Sequence, residues 1–242
     1  MNSQKIETAV ILAAGLGSRF GNRTKEMPKG FIKIGEEPII ERSIRILKEH
    51  GIKNIVIGTG HKNEHYQNIK TKYNLTIYEN EEYSTTGSIY TLTLAKPLVS
   101  SDILLLESDI MYQPLAIQSL LDDENQNSIL TSGFTKSGDE VYVSADDKMN
   151  LLNLSKKPEN FDDIIGELVG ISKISFDLLS DLEKYVNADL ANKKLDYEMG
   201  IVAHAKKHHV KSLLNKELVW CEIDDETHLD RALNLIWPKI NS

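Results

Sequence analysis

Short apolar runs alternate with amphipathic stretches through the first half of the chain. Residues 8–14 form a continuous apolar, β-branched run, which predicts a strand buried on both faces of a parallel sheet. Residues 37–51 space Ile40, Ile44 and Leu47 along one face, so this stretch predicts a helix. Further strands are expected at residues 53–60, 75–80 and 101–110, and further helices at residues 62–73 and 88–95. This alternation is typical of an α/β fold with a parallel sheet.

The rhythm of the pattern changes after residue 110. Four short strands with little helix between them are expected at residues 127–134, 140–146, 148–155 and 166–175. They predict a small antiparallel β insert within the α/β protein. Helices at residues 175–187, 196–207 and 226–237 and a strand at residues 216–224 complete the pattern. No repeat, low-complexity segment or linker divides the chain, so residues 1–242 are expected to form a single domain.

Composition and charge narrow the class of protein. The 242 residues include 28 Lys and Arg against 36 Asp and Glu, a formal charge of −8, and no basic stripe recurs along the chain. A nucleic-acid partner is therefore not expected. The N-terminus lacks a signal-peptide pattern and no apolar run is as long as a membrane span, so we expect a cytoplasmic protein with no membrane partner. The single cysteine, Cys221, lies in a predicted strand without a partner histidine, which favours a buried structural thiol over a nucleophile.

The first predicted strand runs directly into a glycine-rich turn. Gly15 and Gly17 would let backbone N–H groups approach an anion, and Arg19 and Lys29 would neutralise its charge. A dinucleotide-binding fingerprint would need glycine where Phe20 stands, and the chain contains no G-x-x-x-x-G-K-[S/T] phosphate-binding loop. Taken singly, either cation could be an ordinary surface residue, because the loop is expected to be exposed.

The longer string "LAAGLGSRF…T…PKGFIKIGEEPII" resembles the opening motif of nucleotidyltransferases, enzymes that join a nucleoside triphosphate to a phosphorylated small molecule. The matching positions are Leu12, Ala13, Ala14, Gly15, Gly17, Arg19, Thr24, Pro28, Lys29, Gly35 and Pro38. The resemblance implies a Rossmann-like fold of the GT-A type, with a mixed, mainly parallel sheet flanked by helices. It implies that the nucleotide is bound by Leu12, Ala13, Ala14, Gly15 and Gly17. It also implies two catalytic cations, Arg19 at the β- and γ-phosphates and Lys29 against the phosphorus under attack.

Two aspartates far apart in the chain are candidate metal ligands. Asp109 follows the most apolar predicted strand, at the edge where open α/β sheets bind ligands. Asp224 ends a later predicted strand, and its neighbour Asp225 is placed to cap the last helix. The resemblance implies Mg²⁺ as the cofactor at Asp109 and Asp224, because hard oxygen ligands suit this cation. The alternatives are a turn aspartate at position 109 and a helix cap at position 224.

Several later phrases look closer to the bacterial phosphocholine and 2-aminoethylphosphonate cytidylyltransferases than to sugar-nucleotide pyrophosphorylases. This resemblance implies CTP as the donor and a small amino-alkyl phosphonate or phosphate as the acceptor. Contacts to the base or ribose are implied for Thr85, Thr86, Gly87 and Ser88, with an N-cap cluster as the alternative for the hydroxyls. The phrases that carry the resemblance are residues 79–92, 166–175, 196–201 and 221–226.

The acceptor's amine is expected to lie against acidic residues. The implied acceptor-binding residues are Asp196, Tyr197, Glu198 and Glu167. Val141 aligns with an aromatic residue of the choline cage, leaving only Tyr142 nearby, which favours 2-aminoethylphosphonate with Glu198 as its ammonium partner. Acids placed to suit a helix dipole are the alternative for Asp196 and Glu198. Phosphocholine and a sugar 1-phosphate stay open as alternative acceptors. A glycosyltransferase, an oxidoreductase and an inactive regulatory module stay open as alternative classes of protein. A dimer is a possible oligomeric state.

Overall fold

The structure, a computed structural model, describes residues 5–21, 23–161 and 163–241. Its strands are β1 (Thr8–Ala13), β2 (Lys33–Ile34), β3 (Glu37–Pro38), β4 (Asn54–Thr59), β5 (Thr76–Glu79), β6 (Ile103–Glu107), β7 (Ile110–Tyr112), β8 (Ser128–Ser132), β9 (Tyr142–Ala145), β10 (Leu151–Ser155), β11 (Ile164–Ile174), β12 (Lys211–Asn215) and β13 (Trp220–Glu222). Its α-helices are α1 (Arg23–Glu26), α2 (Ile39–Glu49), α3 (Asn63–Tyr73), α4 (Ser88–Leu94), α5 (Leu115–Asp122), α6 (Phe176–Ala188), α7 (Tyr197–His208), α8 (Glu226–Arg231) and α9 (Trp237–Ile240). A π-helical turn, Ala232–Ile236, joins the last two helices.

A nine-stranded sheet organises the described residues. Seven of its strands follow the order β10-β9-β11-β6-β1-β4-β5. In addition, β8 pairs with β11, and β12 pairs with β8. β6, β1, β4 and β5 are parallel, and Val10 at the centre pairs with Val56 of β4 and with Leu105 of β6. The carboxyl ends of these parallel strands therefore meet at one edge of the sheet, where open α/β folds bind their ligands.

Helices cover both faces of the sheet, which explains the apolar run of β1. Ala9 and Ile11 belong to a core cluster with residues of α2, α3 and α5, whereas Val10 and Leu12 belong to a second cluster with residues of α4, α6 and α7. Ala9, Val10 and Ile11 have no exposed surface. The predicted α/β class is confirmed. Among the helices in the described ranges, none combines the length and the hydropathy that a membrane crossing requires.

The antiparallel strands extend the central sheet rather than forming a separate layer. β11 pairs antiparallel with β9 in its first half, with β6 in its last four residues, and with β8 in both parts. Its register against β8 shifts between Leu168 and Ser172, around Gly170, which has a φ of +79°. This irregularity matters for the site, because the position of Gly170 lies directly against the side chain of Glu107.

The strand predicted at residues 101–110 is two strands with a turn between them. β6 ends at Glu107, and the N–H of Ser108 still donates to the carbonyl of Leu12 at 3.1 Å. After Asp109 the chain leaves the sheet, and β7 pairs with β13 instead. The turn places Asp109 at the carboxyl edge of the parallel strands. The pattern also did not predict β12, which follows α7 and pairs with β8.

Candidate active site

A cavity of about 520 Å³ opens at the carboxyl edge of the parallel strands. Its walls come from the glycine-rich turn, the end of β6, the start of α4, β11, the loop before β9, the start of α7 and β13. The predicted site residues that line it are Leu12, Ala13, Ala14, Gly15, Gly17, Arg19, Lys29, Thr86, Gly87, Ser88, Asp109, Glu167, Asp196, Tyr197 and Glu198. Thr85 and Asp224 are the two that lie outside its lining. The motifs quoted from distant parts of the sequence therefore converge on one cavity.

The two glycines of the turn serve different purposes. Gly17 has a φ of +63°, and a Cβ there would lie 2.9 Å from Cγ2 of Thr24 and 3.2 Å from Cγ of Lys29. The Thr24 hydroxyl donates to the Gly17 carbonyl at 2.8 Å, which fixes the turn. A Cβ at Gly15, in contrast, would meet nothing within 4 Å, so this backbone is open to the cavity. Gly17 is required by the protein's own packing, and Gly15 leaves room for an anion.

Lys29 is the cation next to both predicted metal ligands. Its Nζ lies 3.0 Å from Oδ2 of Asp109 and donates to Oδ1 of Asp224. Burial works to lower the pKa of Lys29, but the two carboxylates outweigh it and the net shift is upward. The Lys29 side chain is 14% exposed, so the expectation of an exposed loop is wrong for this residue. Arg19 is half exposed and places Nη2 2.8 Å from Oδ2 of Asp224.

Several carboxylates crowd around these cations. Oxygens of Glu107, Asp109 and Glu222 lie within 4.8 Å of one another, as do oxygens of Asp139, Glu222 and Asp224. Burial, followed by repulsion from the neighbouring acids, raises the pKa of Glu222 to about 10. The same causes raise the pKa of Glu107 to about 8. Such crowding favours a further bound cation, and the all-oxygen donor set fits Mg²⁺.

The neighbouring acids after β13 have different environments. Asp225 accepts a hydrogen bond from the N–H of His228 at 2.8 Å and caps α8, as predicted. Asp224 has no exposed surface and is contacted by Lys29 and Arg19. Glu222 also lines the cavity and was not predicted as a site residue. The sequence could have indicated Glu222, because it precedes Asp224 by two residues in the predicted strand, and residues two apart in a strand point to the same face.

The hydroxyls of the predicted nucleotide loop are engaged within the protein. Thr85 donates to the carbonyl of Glu82 at 3.2 Å, and it does not line the cavity. Thr86 donates to the same carbonyl at 2.9 Å and accepts from Asn80 at 3.0 Å. The hydroxyl of Ser88 accepts from the N–H of Tyr197 at 2.9 Å, so it satisfies the start of α7 rather than of its own helix. A nucleotide role for Thr86, Gly87 and Ser88 stays a prediction.

The loop before α4 is in close contact with the segment before α7. The N–H of Gly87 donates to the carbonyl of Lys193 at 2.7 Å. A Cβ at Gly87 would lie 2.0 Å from the carbonyl oxygen of Leu195, so only glycine fits without a shift of the backbone. The predicted nucleotide loop and the predicted acceptor helix therefore form one packed unit.

The predicted acceptor residues at the start of α7 face the carboxylate cluster. Tyr197 donates from its hydroxyl to Oε1 of Glu107 at 2.7 Å. Burial, with a smaller contribution from Asp196, raises the pKa of Glu198 to about 7. Within the described residues, Oε2 of Glu198 is buried and has no hydrogen-bond partner. This oxygen is available to a ligand that can donate a hydrogen bond.

Two other acceptor-side residues have mixed environments. Glu167 is buried and accepts from the N–H of Thr135 at 2.9 Å, whereas its Oε2 has no hydrogen-bond partner among the described residues, so its acceptor role stays a prediction. Val141 lines the cavity. Tyr142 does not, because its ring lies beside Phe134 with centroids 6.5 Å apart. Tyr142 is therefore outside the cavity lining, and a place for it near the amine stays a prediction.

The amino-acid sequence is similar to those of a known protein family. A family model described as "MobA-like NTP transferase domain" matches residues 9–169, from β1 into β11. The chain belongs to this family. The predicted resemblance to nucleotidyltransferases is thereby confirmed.

Relatives of this transferase include named cytidylyltransferases. The CTP:phosphoglutamine cytidylyltransferase of Campylobacter jejuni is 24% identical, over 92% of this chain and 97% of that enzyme. The choline-phosphate cytidylyltransferase of Haemophilus influenzae is 39% identical, over 43% of this chain and 44% of that enzyme. The solved structure of the inositol-1-phosphate CTP transferase from T. maritima has a TM-score of 0.83 and 17% identity, covering 99% of this chain and 98% of that chain. This last likeness shows a shared fold.

The transferase also has wall residues that the sequence analysis missed. Asp139 accepts hydrogen bonds from Arg19 and from Lys156, whose Nζ lies 2.6 Å from Oδ1. Asp139 lies in the loop before β9, and Lys156 follows β10. Neither belongs to the motifs that pointed to the site, so only the folded chain brings them together.

Proposed function

We propose that this transferase moves CMP from CTP to a small acceptor with a phosphonate or phosphate at one end and an amine at the other. The leading candidate is 2-aminoethylphosphonate. One observation carries the proposal: the same cavity is walled by the cations Arg19, Lys29 and Lys156 and by the acids Glu107 and Glu198. An amino-alkyl phosphonate and a triphosphate together carry the complementary charges.

The glycine-rich turn and its cations support a triphosphate donor. The open backbone at Gly15 and the fork of Arg19 suit the β- and γ-phosphates, and the compact charge of Lys29 suits the α-phosphate. Both relatives are cytidylyltransferases and the solved structure is that of a CTP transferase, which supports CTP over other nucleotides.

The proposed reaction is an in-line displacement at the α-phosphorus of CTP. The acceptor's phosphonate oxygen forms the new bond to phosphorus, and the bond to the bridging oxygen of pyrophosphate breaks, with pyrophosphate leaving as the anion. The attacking oxygen is already anionic at neutral pH, so no general base is needed. Positioning and charge neutralisation then carry the rate, and Lys29 and Arg19 supply them from the protein.

Asp109 and Asp224 would hold Mg²⁺; they belong to two neighbouring groups of carboxylates that share Glu222, and both contact Lys29. When bound, the ion supplies charge neutralisation at the phosphates. The pKa of Glu222, raised to about 10, and the contact of both aspartates with Lys29 support a cation at this position.

The amine end of the acceptor is assigned to Glu198. A primary ammonium donates three hydrogen bonds, which suits the unpartnered Oε2 of Glu198. A trimethylammonium group donates none and is bound best by aromatic faces. Val141 supplies no ring and Tyr142 lies outside the cavity lining, so positions 141 and 142 add no aromatic face to that of Tyr197 beside Glu198, which supports a primary amine.

The test is a pyrophosphate-release assay with four nucleoside triphosphates against 2-aminoethylphosphonate, phosphocholine, phosphoethanolamine and sugar 1-phosphates. We expect turnover with CTP and the highest kcat/KM with 2-aminoethylphosphonate. In Glu198→Gln, loss of a charge-assisted hydrogen bond of about 1.5–3 kcal/mol should raise the acceptor KM about 10- to 100-fold. The matched control is Asp177→Asn, which removes an exposed acid from the first turn of α6 instead of α7.

Each part of the proposal has its own contrary outcome. Turnover with another nucleotide only would exclude CTP as the donor. A wild-type preference for phosphocholine would exclude the primary amine, and an unaltered acceptor KM in Glu198→Gln would remove Glu198 from the amine site.

A further inference from the structure

The loop between β8 and β9 is held against the cavity at several points. The carbonyl of Thr135 accepts a hydrogen bond from Nη2 of Arg231 at 2.8 Å. The carbonyl of Ser137 accepts one from Nε2 of His228 at 3.3 Å. The chain then passes through Gly138, with a φ of +97°, and Asp139 follows in the cavity wall. The loop is therefore anchored by α8, and Asp139 is delivered into the site.

The carboxylate of Asp139 is bound by cations from two different elements. Arg19 donates to Oδ2 from the glycine-rich turn, and Lys156 donates to Oδ1 at 2.6 Å from the end of β10. Side-chain relative exposure of Asp139 is 20%, and it forms an ion pair with each of these cations. A carboxylate held between a guanidinium and an ammonium serves as the counter-charge of both.

Two cations that converge on one anion within this cavity form the arrangement that a phosphate group would require. Arg19 contacts Asp139 through Nη1 and lies 2.8 Å from Asp224 through Nη2. Its fork is therefore occupied by the protein's own carboxylates. A phosphate that binds Arg19 through Nη1 therefore competes with Asp139 for that nitrogen.

We infer that Asp139 is an internal counterion that holds Arg19 and Lys156 when no phosphate is present. It competes with the triphosphate and with pyrophosphate for these two cations, and this competition speeds the release of pyrophosphate. This inference rests on the proposed function. Competition for partly exposed ion pairs is modest in energy, so removal of the carboxylate should tighten binding of both ligands about three- to tenfold.

The test is direct calorimetric binding of CTP and of pyrophosphate, each with Mg²⁺, to the wild type and to Asp139→Asn, with product inhibition by pyrophosphate measured in parallel. We expect Asp139→Asn to lower both dissociation constants and the pyrophosphate inhibition constant together. The matched control is Glu140→Gln, because Glu140 lines the same wall but accepts from the N–H of Gly138 at 3.0 Å. General charge repulsion would tighten binding equally in both variants, whereas displacement requires the change in Asp139→Asn alone.

The binding measurements distinguish failure of the role of Asp139 from failure of the proposed function. A wild type that binds CTP and pyrophosphate, with unchanged or weaker binding in Asp139→Asn, overturns the role of Asp139 and leaves the proposed function standing. Equal tightening in Glu140→Gln also overturns it. A wild type that binds neither ligand overturns the proposed function and this inference with it.

Discussion

Lys29→Met tests whether one buried cation serves both the stability and the chemistry of this protein. The substitution keeps most of the side-chain volume and removes the charge that lies 3.0 Å from Asp109 and contacts Asp224. Removal of one partner from a buried ion pair typically costs about 3–5 kcal/mol. Because Arg19 stays 2.8 Å from Asp224, we expect the lower end, about 3 kcal/mol of unfolding free energy in a chelator.

The assay is urea unfolding with EDTA and with Mg²⁺, followed by turnover measured as pyrophosphate release. Magnesium should restore more stability to Lys29→Met than it adds to the wild type, because the freed carboxylates become available as ligands. Turnover should nevertheless fall about 10²- to 10³-fold, as for loss of one group that stabilises transition-state charge. The matched control is Lys33→Met, which removes the same charge from an exposed position of β2.

Two results would refute this reasoning. Unfolding free energy equal to that of Lys33→Met, with and without Mg²⁺, would mean that Lys29 does not neutralise the carboxylate cluster. A kcat within tenfold of the wild type would mean that its charge is not used in the transition state.

Two further predictions concern the acids of the site. Asp224→Asn should raise the Mg²⁺ requirement steeply and abolish most turnover. Asp225→Ala should keep its turnover and lose only the cap of α8, which is worth about 1 kcal/mol of unfolding free energy in urea. If a Mg²⁺ titration shows the reverse pattern, the roles of the two aspartates are exchanged. Glu198 has a pKa raised to about 7, so its contribution to stability is complete below its unfolded value and is lost as the pH rises through 7. Without metal or acceptor, Glu198→Gln should therefore flatten the decline of unfolding free energy between pH 5 and 8 by about 2–3 kcal/mol, and a slope equal to that of the wild type would contradict the raised pKa of Glu198.

The parallel half of the fold could be predicted because each of its elements is recognisable from a short stretch of sequence. A strand buried on both faces must be apolar throughout, so β1 was visible as a continuous run. Gly17 was recognised as part of the glycine-rich turn, and the structure adds that its backbone is left-handed. The turn between β6 and β7 was missed for a related reason. Apolar residues resume at Ile110 and Tyr112, which are buried in the same core cluster as β1 and β6, but their strand pairs with β13 instead of continuing β6.

The rest of the site depends on contacts that no local pattern contains. The resemblance implies a nucleotide contact for Ser88, and no local pattern indicates that its hydroxyl accepts a hydrogen bond from the N–H of Tyr197, on another helix. Asp139 and Lys156 meet only because an anchored loop and the end of β10 share a wall with Arg19. Hydrogen-bond partners of this kind are set by the tertiary fold, and a residue's own neighbours in sequence do not reveal them.

The long span of these contacts has a consequence for how the protein is made. Ser88 and Tyr197 are 109 residues apart in the chain, and Lys29 and Asp224 are 195 apart. During synthesis the glycine-rich turn leaves the ribosome long before either partner exists, and contacts of such separation form late in folding. Until Asp224 arrives, Lys29 has only part of its counter-charge, and the loop at Gly87 has no segment to pack against. A nascent chain therefore carries the nucleotide motif without a working site, and we expect the ability to use nucleotide to appear only as the last strand and helices dock.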